Sequence, residues 1–261
     1  MKYLRLLTLF VRTSVMTGLE YRANFVGAMA MTVVEVLWSS ASVLLFYSFT
    51  DSLGGWSFHE TLVVVGLLFV TFGFLDAIIW QNVVALGQHI RKGTLDFILT
   101  KPVNSQFHAT LQHYRVDRIA SIFGGVFLII YGLTKLHASP TAGQMALFVL
   151  LVFSALLLVY SALVMLGTLA FWVVEIESFG EIVYALLEIG RYPSAALPEP
   201  VRTIMTFVIP IAFITTVPAE VIIGRITPQF VFYGSLFAIA LFIACTQFWR
   251  FAVRRYSSAS S

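Results

Sequence analysis

The polar residues of this 261-residue chain are gathered into short stretches. Between them run apolar segments near or beyond the ~20 residues that an α-helix needs to cross a hydrocarbon layer. One run extends from about Ala23 to Phe49 and a second from about Glu60 to Val84. The intervening TDSLGGWSFHE supplies Gly54-Gly55 for a turn and Trp56 for a membrane interface. A third run covers Ile119 to Leu136, HASPTAG turns the chain, and a fourth, about Gln144 to Val174, is long enough to tilt or protrude. The last clear run is about Phe230 to Phe248. Ahead of them all, Leu4, Leu7, Val11 and Val15 recur at helical spacing, with Lys2, Arg5 and Arg12 largely elsewhere on the wheel. This pattern predicts an amphipathic helix over residues 1–22 lying on the cytoplasmic membrane face; Arg12 breaks the apolar stretch that a secretory leader would need.

Residues 175–224 are harder to assign. EIESFGEIVYALLEIG carries Glu175, Glu177, Glu181 and Glu188, whereas IMTFVIPIAFITTVPAEVIIG is broken by Pro210 and Pro218. If both crossed, the C-terminal FWRFAVRR would lie opposite the other basic segments. One of them should therefore span and the other dip in and return, as broken segments do when buried in protein or lining a wet cavity. The expected fold is an all-α integral membrane bundle of six spans, with a re-entrant hairpin before the last, forming one transmembrane domain over 1–261.

Charge orients that bundle. Twelve of the sixteen Lys and Arg residues fall in an N-terminal arm (Lys2, Arg5, Arg12, Arg22), a central segment (Arg91, Lys92, Lys101, Arg115, Arg118) and a C-terminal tail (Arg250, Arg254, Arg255). By the positive-inside rule all three share the cytoplasmic side, which puts both termini there. With 59% hydrophobic and 11% charged residues, a water-soluble fold is excluded. The net charge of +3 is absorbed by topology, which leaves nucleic acid without a basic groove to bind. The lone cysteine, Cys245, forms no intrachain disulfide.

Candidate chemistry is sparse. Glu35 and Asp76 lie inside apolar runs, where a carboxylate is costly and marks packing, proton handling or substrate contact. Glu175, Glu177, Glu181 and Glu188 suit either attraction of a cationic substrate or a solvated turn. His108 and His113, five apart, lack the spacing and companions of a metal site and suit a polar cytoplasmic face. No nucleophile elbow occurs, and no G-x-x-x-x-G-K-[ST] loop to cradle ATP phosphates. The central segment 86–118 is the most informative stretch: Gly93 and Pro102 punctuate it, and Leu95, Phe97, Ile98 and Leu99 form an apolar patch between Arg91, Lys92, Asp96 and Lys101. Such a patch is either a plug for a partner's groove or a surface helix answering to lipid headgroups.

Three stretches carry a resemblance: the arm ending Tyr21-Arg22-Ala23-Asn24, the loop IRKGTLDFILTKPVNSQF, and RYPSAALPEPVRTIMTFVIPIAFITTVPAEVIIGR. The chain resembles a permease subunit of the type-2 ATP-binding-cassette exporters, in their short six-span branch. The resemblance implies that Tyr192-Pro193, Leu197-Pro198, Arg202 and Pro218-Ala219-Glu220 mark an outer re-entrant region within 193–227. Glu175 to Tyr192 would then be the fifth span, and Lys135, Arg191, Arg202 and Arg225 would lie outside. It implies a coupling element at about Ile90 to Phe107, with Gly93, Thr94, Leu95, Asp96 and Phe97 against a separate ATPase subunit. Two ATPase copies would bind ATP and Mg, this chain would hold no cofactor, and a second permease, identical or related, would face it among membrane lipids in a prokaryotic plasma membrane. Two rival classes are a proton-coupled secondary transporter using Glu35 and Asp76, which lacks visible inverted repeats, and an intramembrane enzyme, which lacks a reactive constellation.

Overall fold

The computed structural model describes residues 2–20, 22–173, 177–208, 210–225 and 228–256. Five helices among them are long and apolar enough to cross a membrane: Arg22–Tyr47, Phe58–Arg91, Val116–Lys135, Ala142–Phe171 and Val231–Arg254. Their cores are α2 (Arg22–Tyr47), α3 (Phe58–Phe74), α4 (Trp80–Arg91), α7 (Ile119–Lys135), α8 (Ala142–Thr168) and α12 (Pro228–Arg254), with α1 (Lys2–Glu20) preceding them. Short helices α5 (Asp96–Leu99) and α6 (Ser105–Leu111) lie between α4 and α7, and α9 (Glu177–Ile189), α10 (Glu199–Thr203) and α11 (Thr216–Ile222) lie between α8 and α12.

Sequence decides where the crossing helices start. Ser57 caps α3, its hydroxyl taking the Glu60 amide while the Glu60 carboxylate takes the Ser57 amide at 2.8 Å. Thr141 and Gln144 form the same box on α8. The second run does not stop at Val84. It passes through a π-helical turn at Leu75–Ile79 and continues as α4 to Arg91, 34 residues or about 50 Å in all. That exceeds the ~30 Å hydrocarbon thickness, so one end projects. Polar Gln81, Asn82, Gln88 and His89 interrupt the hydropathy but not the helix, because the rest of α4 is covered by α6 and α8.

α3 and α7 pack antiparallel across a seam of glycines. A Cβ on Gly66 would lie 2.6 Å from the Gly125 carbonyl oxygen, and one on Gly132 would lie 2.8 Å from that of His59. Helices approach this closely only where side chains are absent.

The bundle has two distinct ends. At one, Tyr47 bonds the Trp56 carbonyl at 2.8 Å, Gly54 touches Ala195, and Arg225 pairs with Glu60 at 2.7 Å and lies over the Trp56 ring. Residues 193–225 therefore begin and end at the same turn. Within them, Glu199–Thr206 and Ile211–Ile222 are bent by 67°; counted as one span, the pair would be a sixth. At the other end, the loop of α5 and α6 packs on the far end of α12, with Trp249 donating to Ser105 at 3.1 Å. Phe171 packs on Trp249 and Tyr256 at this loop end, whereas Tyr192 meets Phe46 at the turn end, so the chain changes ends between them. α9, at 13 residues or about 20 Å, is the described helix of that passage.

α1 buries none of its residues. Leu4 and Val11, expected on its apolar stripe, point away from the protein, while Phe10 and Ser14 face it; Ser14 takes the Tyr114 amide at 3.1 Å. Leu7 and Val15, the other two residues of that stripe, are half-buried, so the stripe is only partly left for lipid.

Candidate functional site: a charged cavity beside the helical π-turn

Two carbonyls of the wide turn at Leu75–Ile79 accept hydrogen bonds from groups outside the backbone ladder. The Ala77 carbonyl accepts from the Arg115 amide at 2.8 Å and from Gln81 at 3.1 Å. Asn82, fully buried, donates to Ile78 O at 2.5 Å and to His113 O at 2.8 Å, and accepts from the His113 amide at 3.1 Å. The 113–118 loop is thereby laced to the π-turn. A single π-turn within an α-helix often accompanies a functional site.

This lacing delivers Arg118, the last residue before α7, to two carboxylates from different helices. Its guanidinium lies 3.7 Å from Asp76, 4.0 Å from Glu35 and 3.8 Å from Asp117. Each separation exceeds hydrogen-bonding range, and Arg118 Nε is buried without a hydrogen bond. Arg118 acts as a shared positive charge rather than as the partner of one acid. Asp117 has a closer cation in Arg115, at 2.6 Å. Asp76 accepts a hydrogen bond from the hydroxyl of Tyr184 on α9, whose ring stacks on Phe72 at 5.7 Å and meets Trp80 edge-on at 5.5 Å. Around this network opens a cavity of about 810 Å³, walled by Trp38, Phe69, Phe72, Trp80 and Tyr184 and rimmed by Glu188 and Arg191, a pair 2.5 Å apart.

The structure thus joins Glu35 and Asp76, which lie 41 positions apart in the chain, through Arg118. The sequence pattern marked both acids but counted Arg118 only as an orienting cation, and nothing in it singled out Tyr184 or Asn82. The position of Arg118 at the edge of an apolar run was the available signal. Glu175 and Tyr21 lie outside the described residues, as do the side chains of Glu177 and Glu181.

The residues expected at the ATPase contact sit at the loop end. Gly93 has φ 68°, a left-handed conformation that suits glycine and reverses the chain after α4. Thr94 Oγ1 lies 2.7 Å from His89 Nδ1. The apolar patch divides in two: Leu95 and Ile98 are 0% and 4% exposed and pack on Leu86, Ala109, Val164, Cys245 and Trp249, whereas Phe97 is 71% exposed. Leu95 is therefore a root of the loop in its own protein and not a surface contact. Asp96 opens α5 beside Phe97.

His108 is also a correction. It is buried beneath α1, against the edge of Phe10, with Lys101 donating to its Nε2 at 2.9 Å. Burial, followed by the Lys101 charge, holds its pKa below the ordinary 6.5. Burial likewise lowers that of His113. Among the described residues no group of His, Cys, Asp and Glu could hold a metal ion. Cys245 is a packing sulfur, fully buried, and accepts from Gln106 at 3.6 Å.

The late motif stays apart from the cavity and closes the turn end. Pro193 is buried and Ser194 N donates to Thr216 at 3.1 Å. Pro198 starts α10, Arg202 pairs with Glu199, and Pro218 is buried in α11. The Glu220 carbonyl accepts from the Arg225 amide at 2.8 Å.

An all-helical, multi-pass chain with a charged cavity between its helices has the build of a membrane transport subunit. The chain belongs to the ABC-2 family transporter proteins, whose family profile matches residues 30–260. Comparison with curated proteins gives no match. Membrane proteins of this family are permease subunits that typically work with an ATPase subunit, and membership does not favour the proton-coupled alternative.

Proposed function

We propose that this chain is the permease subunit of an ATP-binding-cassette exporter in a prokaryotic plasma membrane. It moves substrate by alternating access, driven by two copies of a separate ATPase that bind ATP and Mg, and it works opposite a second permease. The six spans are α2, α3–α4, α7, α8, the 175–192 segment containing α9, and α12. Residues 193–227 form an outer re-entrant hairpin, and both termini are cytoplasmic. Support for the hairpin is the return of 193–225 to the turn from which it leaves.

The observation that carries the reading is an exposed aromatic on a rooted helix. Phe97 projects from α5 while Leu95 and Ile98 fix that helix to α4, α6, α8 and α12. Force applied at Phe97 passes into α4, which runs without a break to the π-turn and Asp76. Gly93, Thr94, Asp96 and Phe97 form the contact, and ATPase closure would shift the balance between inward-open and outward-open arrangements.

Affinity purification of the tagged chain in mild detergent tests this. An ATPase subunit is expected to co-purify, and Phe97→Asp to weaken its retention by about 30-fold, equivalent to losing an aromatic anchor of ~2 kcal/mol. Undiminished retention would remove the loop from the interface.

A further inference from the structure

We propose that the cavity beside the π-turn binds a lipophilic organic cation and that Glu35 reads its charge. This deepens the permease reading and rests on it.

The cavity, about 810 Å³, is of drug-ligand size. Its walls are the rings of Trp38, Phe69, Phe72, Trp80 and Tyr184, whose faces attract cations as well as apolar groups. Its charge is unbalanced. Among its lining residues two carboxylates, Glu35 and Asp76, meet one guanidinium, Arg118, while Glu188 and Arg191 cancel each other at the rim and Asp117, just outside, is paired with Arg115. The network is one positive charge short, at a depth where an uncompensated charge is costly.

The shortfall falls on Glu35. Asp117 holds Arg115 at 2.6 Å, and Asp76 holds the Tyr184 hydroxyl and Arg118. Among the described residues, the ion partner of Glu35 is Arg118 at 4.0 Å, and its side chain is 49% exposed. One helical turn along α2 stands Trp38, 73% exposed. An ammonium or phosphonium centre at Glu35 would complete the neutralisation, with its apolar body over Trp38, Phe69 and Phe72. An anion would meet more carboxylate than guanidinium, and a neutral ligand would leave Glu35 without a close partner.

The test compares tetraphenylphosphonium with tetraphenylborate, two ions of nearly the same shape and opposite charge. Binding to the purified chain is followed by tryptophan fluorescence, with wild type and variants in the same detergent so that micelle partitioning cancels. Glu35→Gln is expected to weaken phosphonium binding about ten-fold and leave the borate unaffected. Glu35→Asp should keep the preference, and Trp38→Ala, at an exposed position, should lower phosphonium affinity without disturbing the fold. Phosphonium binding that is the same in wild type and Glu35→Gln, or a borate that loses affinity equally, would overturn the proposal. The chain is assayed alone, so the two readings fail separately. Charge-selective binding without any ATPase-driven transport would support the site and sink the permease reading. An ATPase-coupled complex whose phosphonium binding ignores Glu35 would sink the site alone.

Discussion

At the residue scale the pivotal group is Arg118, because three carboxylates lean on one guanidinium. Arg118→Gln should lower the melting temperature in detergent by an amount equivalent to about 1–3 kcal/mol, the cost of leaving charged groups unpaired. Adding Asp76→Asn should recover part of that loss, and a fluorescence melt of the two single variants and the double closes the cycle. A second residue-scale prediction concerns His108. Its folded pKa is depressed below its unfolded value, so its contribution to stability is full above about pH 6.5 and declines as pH falls toward the folded pKa. Wild type should therefore lose thermal stability between about pH 7 and 5 more steeply than His108→Gln, and melts across that range measure the difference. Glu35 and Asp76 were legible because a charge in an apolar run stands out. Tyr184 was not, since a tyrosine in such a run is ordinary and its partner Asp76 is 108 positions away. Nor could spacing tell Leu95 from Phe97. Four residues of helix have too short a period to fix a face, and the Gly93 reversal decides which side meets α12.

At the element scale, hydropathy found α2 and α7 to within two residues and α8 and α12 to within two residues at their starts and six at their ends, because long apolar stretches outweigh single polar residues such as Glu35 in α2. It lost α4, whose polar residues look like a loop until α6 and α8 cover the remaining face. It also left the order of events between 175 and 224 undecided, because the contacts that bring Ala195 and Arg225 to the same turn are long-range. The glycine seam is the element-scale feature most open to a direct test. A Cβ on Gly125 would sit 2.8 Å from the Val70 amide nitrogen, backbone that cannot move aside cheaply. Gly125→Ala should cost about 1–3 kcal/mol by overpacking. Gly87 is the control, with nothing within 4 Å of its would-be Cβ. Gly87→Ala in mid-helix should be neutral or stabilising by about 0.5–1 kcal/mol. A drop in detergent melting temperature and folded yield for the first substitution only would verify that α3 and α7 are held by close backbone approach.

At the scale of the whole molecule, the two ends of the bundle differ in charge as well as in architecture. The loop end holds the α5–α6 loop and the C-terminal basic tail, with α1 packed beside them, whereas Lys135, Arg191, Arg202 and Arg225 stand toward the turn end. A bilayer with an inward preference for Lys and Arg would orient such a molecule with its turns outside. Cysteine chemistry can read that orientation because the native Cys245 is fully buried and reacts slowly. In intact cells, Ser52→Cys and Glu199→Cys, both at exposed positions of the turn end, should label with a membrane-impermeant maleimide. Lys92→Cys and Thr100→Cys, exposed at the loop end, should label only after permeabilisation. Ser52 and Glu199 labelling together from outside would also fix the hairpin, since Glu199 lies seven residues past the passage that ends at Gly190–Tyr192 and would sit inside if that passage did not cross. The reverse pattern would turn the molecule over, place Phe97 beyond the reach of a cytoplasmic ATPase, and refute the coupling assignment in one measurement.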